Sequence, residues 1–489
     1  MSSLRALTLF ALSAILARAL TLGQPIVNID EQFYLLVGDR ILDGALPYVD
    51  IWDRKPPFLF AIYAAIRLLG GGGIWESALV ATAFVVIGAF LTYRLSLRLA
   101  GPAGALMAGV AYTWWTALTG GLLGQAGVFF NVFMALAALC LVRLIERERT
   151  DTALFPEGFA AMLLAGLAVQ TKQSSVFEAA FFGLVFAIIA WRARSPAKAL
   201  AIIALGALVA LAPSLTAVAI WRQAGELDAL LFATVTSAGL RAPMLAADYA
   251  WHVGTSLLMV LPLLVFAFLG LRRGKGESDV PRRVRLFLVG WAAVSLLALL
   301  AYDRTFYDHY LLPVLVPLCI CAAPAFDRWR RYRLSVALTA VALIAAVYAL
   351  QWSERENTGG WRTIAALDAA TRGQRNCPFS YGGPSVAYLL NDWCLPTAYA
   401  FSGHLLFAAE APAIRVDPVA EVTRVLDTRP DRIVLRAQPV PKGNPATREL
   451  VLRRVQRDYE LAARVEPDGL LVYRLRPELT PLPNRQASH

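Results

Sequence analysis

Apolar runs of about 20 residues recur along the first 350 positions, separated by short polar segments. A helix rising about 1.5 Å per residue needs about 20 such residues to cross a bilayer. The pattern predicts crossings over roughly 4–22, 76–98, 102–118, 127–145, 158–171, 173–191, 199–220, 251–271, 284–302, 310–325 and 333–351. Thr171-Lys172-Gln173 divides the fifth run from the sixth. Residues 57–71 are apolar too, but they begin at Pro56-Pro57 and end in Gly70 to Gly73. Beyond residue 351 the long runs stop. RTIAALDAATRG and SVAYLLND read as helices, CPFSYGG as a strand into a turn, and DRIVLRA and GLLVYRLR as strands. Residues 352–489 therefore predict a small α/β domain, with only the last ten or so residues unstructured. No internal repeat is evident.

Composition fixes the class. The chain is 58% hydrophobic and 17% charged, where soluble domains average roughly 45–50% and about 25%. Its mean hydropathy is +0.55. The predicted fold is an all-α polytopic membrane domain with about 11–13 transmembrane helices, residues 1–351, followed by a C-terminal α/β domain. The net charge of +11 does not point to nucleic acid, because most basic residues sit in short loops between apolar runs. Five cysteines with no C-x-x-C pair exclude the usual zinc and redox motifs. Ala17-Arg18-Ala19 resembles a signal-peptidase site, but the arginine lies inside the run and no small-residue spacer follows, which favours a retained first helix.

Charge also orients the chain. If 57–71 does not cross, one set of loops carries 18 Lys and Arg and the opposite set 8. The basic side should be cytoplasmic. The first loop, 23–56, and the whole tail are then extracytoplasmic. In that oxidising compartment Cys377 and Cys394, 17 residues apart, are expected to form a disulfide, whereas Cys140, Cys319 and Cys321 in apolar segments should stay reduced.

The first loop is acidic. Residues 28–57, NIDEQFYLLVGDRILDGALPYVDIWDRKPP, hold six acids and three bases. Asp30-Glu31 has a plain reading, two acids favoured at the start of the amphipathic piece EQFYLLVGDRIL. Two adjacent carboxylates can also divide the work of general base and ligand. Lys55 precedes Pro56, which is expected at the first position of a helix, so the lysine would lie by a positive helix end suited to phosphate; it could equally snorkel to headgroups. Arg18, inside the first apolar run, is costly there and functional by default. Lys172-Gln173 and the stretch YDRTFYDHYLLP, with Asp303, Arg304, Tyr307, Asp308, His309 and Tyr310, fall on the same outer face.

An Arg in the first helix is followed by DE-x-x-Y, a G-x-x-P-Y-x-D turn and D-x-K-P-P; later come T-K-Q and D-H-Y-L-L-P. In this order the motifs resemble those of the GT-C superfamily of integral membrane glycosyltransferases, near bacterial enzymes related to protein O-mannosyltransferases and lipid A aminoarabinose transferases. The resemblance spans most of residues 10–325, and the tail is similar to the periplasmic domain many members carry.

The resemblance implies sugar transfer on the periplasmic face of a bacterial inner membrane. The donor would be a polyprenyl-phosphate sugar and the acceptor a hydroxyl of a lipid, glycan or protein. Asp30, with Glu31 beside it, would be the base or acceptor-orienting carboxylate. Lys55 and Arg18 would hold the donor phosphate. Tyr34, Asp53, Lys172, Gln173, Arg304, Tyr307, His309 and Tyr310 would line the cavity. Members often carry an acid in the second outer loop, whereas this chain reads GLLGQAGVFFN with Gln125 and Asn131. A divalent metal is therefore left open, and no other cofactor is implied. Two alternatives are a lipid-linked sugar transporter or flippase, which would place charges near the membrane midplane, and an O-antigen-type polymerase or ligase, which would rely on a large late outer loop.

Overall fold

The computed structural model describes residues 2–147, 154–272, 282–302 and 305–479; Arg304 and the last ten residues lie outside them. The chain forms two compact units. One comprises residues 1–23, 55–230 and 243–353; the other comprises 24–54, 231–242 and 354–489. The first loop and a short mid-chain segment thus fold with the tail.

The first unit is helical. Among the described residues, eight helical segments of the chain are long and apolar enough to cross a membrane, and the protein is a multi-pass membrane protein. Three further apolar helices of this unit are shorter, at Ser3–Leu16, Pro57–Arg67 and Pro156–Val169. The run predicted over 4–22 stops being helical at Leu16, because residues 17–23 form turns in which Arg18 N donates to Ile15 O at 3.1 Å. Pro57–Arg67 has 11 residues, about 16 Å of helix against a hydrocarbon core of about 30 Å. The interruption at Thr171-Lys172 falls where the pattern placed it, between Phe159–Val169 and Val176–Ala193.

Leu312–Asp327 is the central helix of this unit, buried at every position from Leu312 to Phe326. Lipid gives no hydrophobic drive for helices to associate, so close backbone approach must supply the contact energy. Gly104 and Gly270 provide it: a Cβ on either would collide with the carbonyl oxygen of Ala323 or Cys321. Asp327 closes the contact by accepting from the backbone N–H groups of Gly101 at 3.2 Å and Gly104 at 3.1 Å, at the positive end of the Pro102–Leu118 helix.

The second unit is built on a four-stranded sheet, β1 (Phe379–Ser380), β2 (Arg432–Arg436), β3 (Tyr459–Val465) and β4 (Leu470–Leu475), in the order β1-β2-β4-β3. β1 and β2 are parallel and the other pairs antiparallel. Ile433, Val434 and Leu435 of β2 are all buried, as a central strand covered on both faces requires. Pro418–Asp427 adds Val422, Val425 and Leu426 to the core. Its Asp417 cap accepts from Ala420 N at 2.7 Å, an interaction worth about 1 kcal/mol. Cys377 and Cys394 are joined in a disulfide, with Cα atoms 5.1 Å apart; Cys140, Cys319 and Cys321 are free.

The first loop enters this unit through Ile29–Leu42. Arg40 on that helix donates to the Tyr388 and Trp393 carbonyls at 3.2 and 3.1 Å. Trp52 N donates to Ala398 O at 2.8 Å. The mid-chain segment is tied in by Ser237, whose hydroxyl donates to Ala413 O at 2.6 Å.

Candidate functional site

The sequence-derived candidates fall into two sets, one in each unit. In the second unit, Asn28 caps the Ile29–Leu42 helix and accepts from Asp30 N at 3.1 Å. Asp30 and Glu31 therefore occupy its first turn, where unpaired backbone N–H groups favour negative charge. Asp30 is half-buried, and Glu31 and Tyr34 are buried. Asp50 closes the G-x-x-P-Y-x-D turn by accepting from Leu46 N at 2.7 Å. Tyr48 sits in that turn at φ +75°, a strained conformation for a tyrosine. Burial pushes its hydroxyl pKa well up, and Asp53 adds to the effect. Asp53 is buried and accepts from Arg54 N at 2.5 Å.

Beside Asp53 is a group that sequence reading missed. The Arg54 guanidinium forms a two-pronged ion pair with Glu410, and Arg241 approaches the same carboxylate at 2.7 Å. Burial alone would raise the Glu410 carboxyl pKa. The two guanidiniums, Arg54 foremost, outweigh it and bring the pKa down to about 2. Arg54 also lies 5.4 Å from the Trp52 ring centroid, within cation–π range. His404 packs against Trp52 at 4.6 Å and Phe401 at 4.8 Å. Burial, then the charge of Arg54, lowers its pKa to about 3, so the imidazole is neutral.

In the first unit, Lys55 is half-buried and precedes Pro56, which caps the Pro57–Arg67 helix. Pro57, not Pro56, takes the first helical position. A residue before proline is held extended, and Pro56 has φ −64° and ψ 152°. Lys55 still stands next to the positive end of that helix. Arg18 is fully buried and donates to Gly121 O at 2.8 Å and Ala14 O at 3.3 Å. His309 packs on the neighbouring Gly120, where an added Cβ would come 3.0 Å from the His309 Cβ. The Gly120-Gly121 turn thus touches both Arg18 and His309.

Tyr307, His309 and Tyr310 form one aromatic cluster: His309 meets Tyr310 edge-on at 4.7 Å and stacks with Tyr307 at 5.8 Å. The Lys172 ammonium is buried, 5.0 Å from the Tyr310 ring and 5.9 Å from that of Tyr302. Gln173 opens the short helical turn Gln173–Ser175 after it. Arg304 lies outside the described residues. Gln125 and Asn131 have structural roles, Gln125 accepting from Ala126 N at 2.9 Å and Asn131 donating to Leu312 O at 2.8 Å. Among the described residues no cluster of three or more His, Cys, Asp or Glu could hold a metal ion.

Glu178 was also missed. It is buried in the Gln173–Ala193 span, accepting from Trp291 Nε1 at 2.6 Å and the Ser295 hydroxyl at 2.5 Å. Its signal was a lone acid in an apolar run, which is rarely incidental.

Residues 54–221 match the profile of the dolichyl-phosphate-mannose-protein mannosyltransferase family. By sequence, no curated protein matches the chain. In structure it is similar to ArnT from Cupriavidus metallidurans bound to undecaprenyl phosphate, with a TM-score of 0.66 at 15% identity over 95% of this chain and 97% of that one. The chain has the GT-C fold. That fold extends to the oligosaccharyltransferase AglB of Archaeoglobus fulgidus, solved with an inhibitory peptide and a dolichol-phosphate, at TM-score 0.54 and 13% identity over 98% of this chain and 75% of that one. A form of the Archaeoglobus enzyme tethered to an acceptor peptide scores 0.55 at 14% identity, over 98% and 74%. The GT-C likeness runs through both units, so the tail belongs to the shared architecture.

Proposed function

We propose that this protein is an inverting glycosyltransferase that moves a sugar from a polyprenyl-phosphate donor to an acceptor hydroxyl at the periplasmic face of a bacterial inner membrane. The observation that carries the reading is Asp30, a half-buried carboxylate on the first turn of a capped helix, in a chain with the GT-C fold. Two structures with that fold were solved with a polyprenyl or dolichyl phosphate, which supports the same donor class here.

The chemistry assigns each residue a task. Asp30 takes the proton of the acceptor hydroxyl as its oxygen attacks the anomeric carbon. The bond from that carbon to the phosphate oxygen breaks, its electron pair leaves with the polyprenyl phosphate, and the anomeric centre inverts. Lys55 opposes the charge growing on the leaving phosphate. Arg18, already bound to two carbonyls, contributes positive charge and holds the Gly120-Gly121 turn. The resemblance also implies substrate-contacting roles for Glu31, Tyr34 and Asp53 of the second unit and for Lys172, Gln173, Arg304, Tyr307, His309 and Tyr310 of the first. No step requires a metal.

The test is incubation of the purified protein in lipid with a labelled polyprenyl-phosphate sugar and a membrane extract as acceptor source. Label should leave the donor lipid for a new product. Label that crosses the bilayer while still on the donor lipid would replace the transferase by a flippase.

A further inference from the structure

The second unit contains a cavity of about 400 Å³ that no assigned residue explains. It is lined by Ile29 and Gln32, one turn apart on the Ile29–Leu42 helix, by the bare backbone of Gly382-Gly383, and by Ser402, Phe407 and Arg436. Its volume lies in the range of small-molecule sites, about 300–1,000 Å³.

Gln32 reveals the chemistry. Its side chain is only 5% exposed, and its Oε1 accepts no hydrogen bond. A buried unmet acceptor is costly, so the cavity favours a ligand that brings a donor. Arg436 also lines the cavity, and one arm of its guanidinium donates to Asp468 O at 3.2 Å. That charge disfavours a cation. The Asp468 carboxylate is already engaged, accepting from Gly359 N at 2.8 Å and from the Thr363 hydroxyl. An anion would meet Gln32 Oε1 acceptor to acceptor. A plain hydrocarbon would leave Gln32 unmet. Phe407 and the Pro439-Val440-Pro441 segment supply apolar walls. A ring with hydroxyl donors and acceptors at its edge and C–H groups on its faces satisfies all of these at once.

We infer that this cavity is a carbohydrate subsite, holding a sugar ring of the acceptor glycan. The inference rests on the glycosyltransferase reading. Asp30 lies in the first turn of the same helix, one residue from Ile29 and two from Gln32, and therefore on a different face from the cavity.

The experiment uses the full-length protein in detergent and a panel of methyl hexopyranosides and methyl pentofuranosides, read by saturation-transfer NMR. At least one probe should give a signal with the wild type. Gln32→Leu removes the buried acceptor and should weaken that probe about tenfold, a typical cost for one unmade buried hydrogen bond. Ser402→Trp fills the space and should abolish the signal. Melting curves establish that each variant is folded, and either variant alone is decisive. No signal with any wild-type probe, or an undiminished signal in a folded variant, overturns the subsite.

Adding unlabelled polyprenyl-phosphate sugar separates the sources. Simultaneous binding supports the acceptor, and displacement of the probe overturns that assignment in favour of the donor's own sugar. Because binding is read without turnover, a failed transferase reading would show in the transfer assay and leave this result intact.

Discussion

Replacing Glu410 by glutamine keeps the shape of its side chain and removes the carboxylate that Arg54 and Arg241 share. The three side chains are 5%, 14% and 17% exposed. Breaking a buried ion pair by deleting one partner costs about 3–5 kcal/mol, because the other charge stays desolvated. The two arginines keep some water, which puts the expected loss at the low end, about 3 kcal/mol. For a domain of this size one kcal/mol moves the melting point by about 2–4 °C, so Glu410→Gln should melt about 6–12 °C lower. The assay is intrinsic fluorescence of the full-length protein in detergent, where Trp52 and Trp393 are buried in the same unit and report its unfolding. A cycle with Arg241→Gln isolates the charge effect, since the two changes should not add if the groups interact. A fall under about 2 °C with additive single changes would refute the reasoning, because such a triad would be as weak as a solvated surface pair.

Other consequences are as direct. His404 has its pKa brought from an ordinary 6.5 to about 3, so the folded state binds fewer protons and stability falls as pH drops from 6.5 toward 3. At 1.36 kcal/mol per pH unit the loss reaches about 2 kcal/mol at pH 5. Glu410, lowered from 4.5 to about 2, steepens the loss below pH 4.5. His404→Phe should flatten melting temperature against pH between 6.5 and 4.5, and an unchanged slope would remove His404 as the cause. Lys55→Ala should weaken polyprenyl phosphate binding and transfer together, with Lys55→Arg restoring part of both; normal transfer by Lys55→Ala would make the lysine a membrane anchor. Reporter fusions after residues 52, 280 and 420 should read outside, inside and outside, and an inside reading at 52 with an outside reading at 280 would invert the orientation.

What the sequence disclosed was whatever is written locally. The long membrane helices follow from apolar length, and the break at Thr171-Lys172 from a charge inside a run. β2 and β4 announce themselves by aliphatic runs, Ile433 to Leu435 and Leu470 to Val472. β3 does not: it pairs on one side only, its interior positions are mostly exposed, and YELAARV carries no aliphatic run. The helix starting at Ile29 was legible because its acids and amphipathic pattern are adjacent in sequence. The ion pair of Arg54 with Glu410 was not, since 356 positions separate them and either could have been an ordinary surface charge. Assignment of residues 24–54 to the same unit as the tail was equally hidden. It depends on hydrogen bonds such as Trp52 N to Ala398 O, which leave no mark on composition. Arg18 was marked as costly, but its carbonyl partners at Ala14 and Gly121 required the fold.

Asp30→Asn tests the central claim most directly. The change preserves shape and removes the base, and general-base catalysis is typically worth about 10²–10⁴-fold. The measurement is single-turnover transfer from a labelled polyprenyl-phosphate sugar, with donor-lipid binding and membrane insertion checked on the same preparation. Transfer should fall by about 10²–10⁴-fold while the variant inserts and binds donor like the wild type. Asp30→Asn with wild-type turnover would contradict the mechanism and leave Asp30 as an acid that only stabilises its helix.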